Sequence, residues 1–226
     1  MTETEREQIR LKAQSFFNDL WTRGDPWELE TSAFEHQRYE RLLSMLDQPR
    51  YGRALEIGCG AGTFTRRFAG LTDQVLALDV SSDAIAKARA VQGLCQQVEF
   101  RAANIMDFDP KTEAPWDLII MSDMVYFLGW LYPLFDIGWL ALDLFAATRP
   151  GGQLLLANCY GGPQDYLMLP SLIHTYRDLF VNVGFQIRNE EVFHGVKNGV
   201  NIEALMTLFE KTNEKSAAPN KQRANE

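Results

Sequence analysis

The chain has 226 residues, 46% of them apolar, which suits one ordinary globular domain with its own core and excludes a disordered chain. A formal net charge of −8 argues against unspecific binding to nucleic acid or to an anionic membrane, since both need basic surface. No apolar run approaches the ~20 residues of a membrane span.

Residues 1–22 predict a helix with Ile9, Phe16, Phe17, Leu20 and Trp21 toward one side, broken at Gly24-Asp25-Pro26. Thr31 or Ser32 starts a second helix reaching about Leu46, with Glu35 three residues after Ser32 as a capping box. It carries Phe34, Tyr39, Leu42, Leu43 and Met45. From Arg53 onward strands and helices alternate. Strands are expected near 53–57, 74–79, 97–102, 117–121 and 152–158. Helices are expected near 62–70, 82–92, 123–128, 133–148 and 163–182. That alternation makes a parallel sheet with helices on both faces. Phe185 to Phe193 and Val200 to Phe209 read as a hairpin, because the intervening Asn198-Gly199 suits a tight turn of positive φ. Residues 212–226 are polar, without apolar periodicity, and are expected to be disordered. The expected organisation is a helical lid segment over 1–46, a ligand-binding domain over 47–211 and a polar tail over 212–226.

The most informative stretch is Arg53 to Thr65. Ala54, Leu55 and Ile57 have the length of a buried parallel strand, and glycines follow at 58, 60 and 62 before a helical pattern begins. Backbone on such a turn can approach a ligand closely, because no Cβ intervenes. The dinucleotide fingerprint G-x-G-x-x-G is not met, since Thr63 holds its third glycine position. The pattern is instead acid-x-G-x-G-x-G, with Glu56 as the acid. One strand–helix unit later, the apolar run 75–78 ends in Asp79, where a carboxylate can accept hydrogen bonds from both hydroxyls of a ribose. Cys59, Cys95 and Cys159 show no metal-ligand spacing and, without a signal-peptide pattern, read as reduced thiols of a cytoplasmic protein. Cys59 reads as a small filler of the loop rather than a reactive thiol.

These motifs resemble motif I and the ribose-binding acid of the class I S-adenosylmethionine (SAM) methyltransferases. The resemblance implies a Rossmann-like α/β fold with a mostly parallel seven-stranded sheet, helices on both faces and a C-terminal antiparallel hairpin. It implies SAM as cofactor, with S-adenosylhomocysteine as its product. Glu56, Gly58, Cys59, Gly60 and Gly62 would line the methionine end, and Asp79 and Val80 the ribose. Asn104 would accept from the adenine amino group, Ile105 would pack on its face, and Ser122 would stand near the transferable methyl. Pro150-Gly151-Gly152 is likewise typical of the class. Four further pieces narrow the resemblance: Asp25-Pro26-Trp27, Ser32 to Glu35 with Arg38-Tyr39, Leu55 to Cys59, and Ser122 to Leu128. Together they resemble the nodulation protein S group, which N-methylates the deacetylated glucosamine end of chitooligosaccharides.

Beyond the carboxyl ends of the strands, Asp123 is the candidate catalytic group. A protonated amine has no lone pair, so an amine acceptor must lose its proton, and a carboxylate can orient it or take that proton. Asp123 serves equally as a cap for the helix expected over 123–128. Trp27, Tyr39, Tyr126 and Tyr160 are candidate acceptor-binding rings. The expected function is methyl transfer to a small-molecule amine such as an amino sugar, by a monomer or homodimer. An O-methyltransferase of a secondary metabolite and a SAM-binding protein without transferase activity are the alternatives.

Overall fold

The computed structural model describes residues 2–91, 96–161 and 166–212. The expected disorder of the tail and the thiol of Cys95 lie outside the described residues, apart from position 212. The apolar runs form seven strands: β1 (Tyr51–Ile57), β2 (Thr72–Asp79), β3 (Val98–Ala102), β4 (Trp116–Ser122), β5 (Thr148–Tyr160), β6 (Gln186–Lys197) and β7 (Val200–Glu210). Their order is β3-β2-β1-β4-β5-β7-β6, and only β7 runs against its neighbours. The hairpin turn falls on Asn198 and Gly199, with φ of 52° and 79°, as a tight turn with two positive φ values requires.

Side chains along each central strand alternate between two cores. Leu55, Ile57, Leu76 and Leu78 enter one, and Ala54, Val75 and Ala77 enter the other. The first core is closed by α5 (Val125–Leu131), α6 (Leu134–Ala147) and α7 (Pro170–Asn182). The second is closed by α2 (Ala33–Met45), α3 (Thr63–Phe68) and α4 (Ser82–Ala90). Strand order reverses at β1, whose neighbours are β2 and β4, with Ile57 paired to both Leu78 and Met121. A crevice opens beyond the carboxyl ends of strands at such a switch point.

Three details differ from the sequence expectation. β5 begins at Thr148, because Thr148 pairs with Trp116 before a register shift to the Leu118–Gln153 pair, with Gly151 at φ 74° in the irregularity. α7 begins at Pro170, a residue suited to the first helical turn, where no N–H is needed; positions 162–165 of the longer expected helix lie outside the described residues. Ser32 makes no side-chain cap on α2, and the Glu35 carboxylate that would complete a capping box is bonded to Arg38 and Lys197 instead.

The first helix, α1 (Glu3–Thr22), crosses the open end of the crevice. Asn18 accepts from the Ser81 hydroxyl at 2.8 Å, and Phe17 meets the Phe127 ring edge-on at 5.0 Å between centroids. Trp21, only 2% exposed, packs against the glycine loop. Burying each such ring contributes roughly 1.5–3 kcal/mol. Helix α2 is held to the hairpin by the Arg41–Glu191 ion pair and the Phe34–Phe193 ring contact.

Candidate active site

The loop after β1 is tied down by its backbone. Gly58 and Cys59 donate N–H bonds to the Leu78 carbonyl at 2.8 and 3.0 Å. Gly58 has φ +80°, and a Cβ there would lie 3.0 Å from the Met124 Cβ; at Gly60, φ is +53° and a Cβ would meet the Trp21 ring at 2.8 Å. Both positions therefore require glycine. Glu56 is 3% exposed and accepts from the Thr65 hydroxyl. Burial, helped by the nearby Asp79 charge, pushes its carboxyl up to about 8, so it holds a proton at neutral pH. Asp79 accepts the Gly60 and Ser81 N–H groups, both at 2.8 Å, and burial lifts it to about 6 against those bonds. Burial also pushes the Cys59 thiol well up, which keeps it protonated and makes it the expected filler.

Opposite the loop, Asn104 donates to the Tyr132 hydroxyl at 2.7 Å, and its carbonyl oxygen accepts from the Met106 N–H at 3.0 Å. That oxygen keeps a second lone pair. Ile105 is buried beside it, and Val80 is half-buried.

At the end of β4, Asp123 adopts φ +53°, an uncommon conformation for a residue with a Cβ and one found more often at working sites. Its carboxylate does not cap α5, which starts at Val125 after Met124 and has no side-chain cap. Instead Oδ1 accepts the Cys159 N–H at 2.7 Å and Oδ2 pairs with Arg38 Nη1 at 2.5 Å. The same Nη1 donates to Ser122 Oγ at 3.1 Å. Arg38 is 2% exposed and places Nε and Nη2 on Glu35 Oε2, at 3.0 and 2.6 Å. Glu35 Oε1 in turn accepts from Lys197 Nζ at 2.6 Å, and Lys197 also donates to the Trp27 carbonyl at 2.6 Å. Burial works to raise the Glu35 carboxyl, but Arg38 and Lys197 outweigh it and hold it below the usual carboxylate value. Four alternating charges thus run from the tip of the hairpin to Asp123.

One cavity of about 400 Å³ joins these parts. Of the residues singled out in sequence, its walls include Trp27, Tyr39, Glu56, Gly58, Cys59, Gly60, Asp79, Val80, Asn104, Ile105, Ser122, Asp123 and Tyr126. Gly62 and Tyr160 are not among them. Gly62 sits at φ +77° as the N-cap of α3, against Phe100, and so shapes the turn without facing the cavity. Tyr160 is buried in the core at the end of β5 and does not face the acceptor space. Glu35, Arg38 and Lys197 also line the cavity, as do Phe17 and Trp21. In the sequence Glu35 and Arg38 stand within a stretch that carries the family resemblance, three residues apart on a helix, but nothing there gives either a place in the cavity wall. Lys197, on a hairpin tip, stands outside any such stretch.

The residues fit SAM. At Gly58 and Gly60 the loop has no room for a side chain, and among the described lining residues the acids beside it are Glu56 and Asp79. Asp79, and Glu56 once a bound cation draws off its proton, suit a ligand carrying an ammonium and a sulfonium. Fold and site together define the class I SAM-dependent methyltransferases. The family model for nodulation protein S (NodS) matches residues 12–133, more than half of the chain. The chain belongs to the nodulation protein S family.

Nodulation protein S of Bradyrhizobium diazoefficiens is 37% identical over 105 residues, which cover 46% of this chain and 49% of that protein. This chain thus spans about half the length of that relative. A ubiquinone biosynthesis O-methyltransferase of Rhodopseudomonas palustris is 26% identical over 54% of the chain and 45% of its own length. The crystal structure of the N-methyltransferase NodS from Bradyrhizobium japonicum, in complex with S-adenosyl-L-homocysteine, superposes with a TM-score of 0.72. The superposition covers 89% of this chain and 98% of that one, at 22% identity. Among the described residues no helix is long and apolar enough to cross a membrane.

Proposed function

We propose that this chain transfers a methyl group from SAM to the nitrogen of a small-molecule acceptor, under a lid formed by residues 1–46. The observation that supports it most is the single cavity, which begins at the glycine loop and ends at a carboxylate fixed in a strained conformation. When bound, the cofactor supplies a methyl on a sulfonium: the nitrogen lone pair forms the new N–C bond, the C–S electrons stay on sulfur, and the proton shed by the nitrogen passes to a base or to water. Gly58, Gly60 and Glu56 hold the amino-acid end of the cofactor, Asp79 and Val80 its ribose, and Asn104 and Ile105 its adenine. An amine would be oriented by the Asp123 carboxylate beside its present donors, the Cys159 N–H, Arg38 and, at 3.5 Å, the Ser122 hydroxyl. Arg38 and the Cys159 N–H keep that carboxylate in place, and much of the rate of an in-line displacement comes from such positioning.

Nitrogen is preferred to oxygen because no described lining residue is arranged as a strong base for an alcohol, whereas an amine with its proton lost attacks unaided. The sequence likeness to an O-methyltransferase supports a second reading, transfer to a hydroxyl. Incubation with methyl-labelled SAM and matched amine and alcohol acceptors separates them. Label in the amine is the expected result, and label only in the alcohol would overturn the nitrogen assignment.

A further inference from the structure

Helices on the surface of this fold turn polar side chains to solvent. The outer positions of α2 include Gln37, Glu40, Arg41 and Ser44, and those of α4 include Lys87 and Arg89. Helix α6 departs from that pattern. Its inner face, with Ile137, Leu140, Ala141 and Leu144, enters the first core. Its outer face, with Phe135, Trp139, Leu142 and Ala146, is exposed and wholly apolar. Phe135 is 85% exposed and Trp139 65%. The two acids of the helix, Asp136 and Asp143, stand half-buried at one flank, and Asp143 pairs with Lys111 at 2.6 Å. A helix that is apolar on both faces belongs inside a larger body.

The size of the face fits one interface. Buried Phe and Trp rings bring roughly 150–250 Å² each, and with Leu134, Leu142 and Ala146 the exposed apolar area comes to roughly 500 Å². An ordinary stable interface takes about 800 Å² from each partner, about 60% of it apolar. The chain's own remaining residues do not cover the face: positions 92–95, 162–165 and 213–226 hold a single large apolar side chain, Leu94. The flanking acids and the net charge of −8 oppose an anionic lipid surface. The spacing along α6 favours a second copy. Gly138 has nothing within 4 Å of a Cβ built on it, so the single chain gives no reason for so poor a helix former there. With two α6 helices antiparallel about a twofold axis between Gly138 and Trp139, each Trp139 lies on the partner's Gly138 and each Phe135 beside the partner's Leu142. The same patch then serves both copies, as a twofold interface requires. No acid falls opposite an acid, and the helix dipoles run in opposite directions.

We propose that the chain forms a homodimer through the outer face of α6, with the two helices antiparallel and Trp139 of each copy seated on the partner's Gly138. The test is sedimentation equilibrium of the full chain up to tens of micromolar, with two variants beside wild type. Wild type is expected at twice the 25.8 kDa of the chain. Gly138→Gln fills space that is open in the single chain and improves the helix, but it takes the seat of the opposite Trp139. Trp139→Lys removes the ring and charges the face. Each variant is expected to raise the dimer dissociation constant at least about tenfold, the scale of one lost interface anchor. Neither residue lines the cavity of the candidate active site, so S-adenosylhomocysteine titration should stay at its wild-type value and show that the variants are folded. A wild-type chain that sediments as a monomer over this range overturns the proposal. So does a dimer that either folded variant leaves at wild-type strength.

Discussion

Replacing Glu56 by Gln tests the electrostatics of the loop without touching its shape. In the fold the Glu56 carboxyl titrates near 8, against an ordinary value of 4.5, chiefly because burial penalises its charged form. Between those pH values the folded protein holds a proton that the unfolded chain has released, so stability falls as pH rises. The contribution is fully present below about pH 4.5 and is lost as pH passes through about 8. At 1.36 kcal/mol per pH unit, that interval corresponds to a loss of up to roughly 5 kcal/mol. Gln is nearly isosteric, accepts the Thr65 hydroxyl through its amide oxygen, and does not ionise. Glu56→Gln should therefore gain stability relative to wild type as pH rises from 5 to 8, by several kcal/mol across the range. Guanidinium unfolding of both ligand-free proteins at pH 5, 6, 7 and 8 measures this. Parallel stability curves would mean that Glu56 is ionised in the fold and that the buried, proton-bearing acid is wrong.

Asp79→Ala should weaken S-adenosylhomocysteine binding by roughly 1.5–3 kcal/mol, the scale of a lost bond to a charged group; an unchanged calorimetric affinity would refute the ribose assignment. Asp123→Asn should lower kcat about 100-fold with little change in cofactor affinity, and the wild-type rate should rise with pH as the acceptor amine loses its proton. A fully active Asp123→Asn enzyme in single-turnover assays would leave transfer to proximity alone. Residues 20–46 should become more protected from hydrogen exchange when S-adenosylhomocysteine binds, and an unaltered exchange pattern there would remove the lid.

What the sequence made legible was local. The apolar run ending at Ile57, the three glycines, and the acid at the end of the next strand are contiguous patterns, and each maps onto one strand end or turn. The hairpin followed from two residues whose backbone must take positive φ. The illegible parts are long-range or geometric. Lys197 reaches Glu35 across 162 residues, and nothing in the periodicity of either segment records that meeting. Glu35 was expected to serve its own helix start, because a capping box is a local pattern; in the fold it lies between two cations and the local bond is not made. Asp123 likewise matched a helix cap by spacing, but its positive φ turns the carboxylate toward Arg38 and Cys159. Tyr160 was placed at the mouth by its position just past the central sheet, yet β5 continues through it and carries the ring into the core.

The most direct test of the central claim is the identity of the ligand that the glycine loop accepts. Calorimetric titration of the full chain with S-adenosylhomocysteine, and in parallel with NADH, should show saturable one-to-one binding of the first and none of the second. Binding of NADH, or a flat S-adenosylhomocysteine titration of the folded protein, would contradict the account.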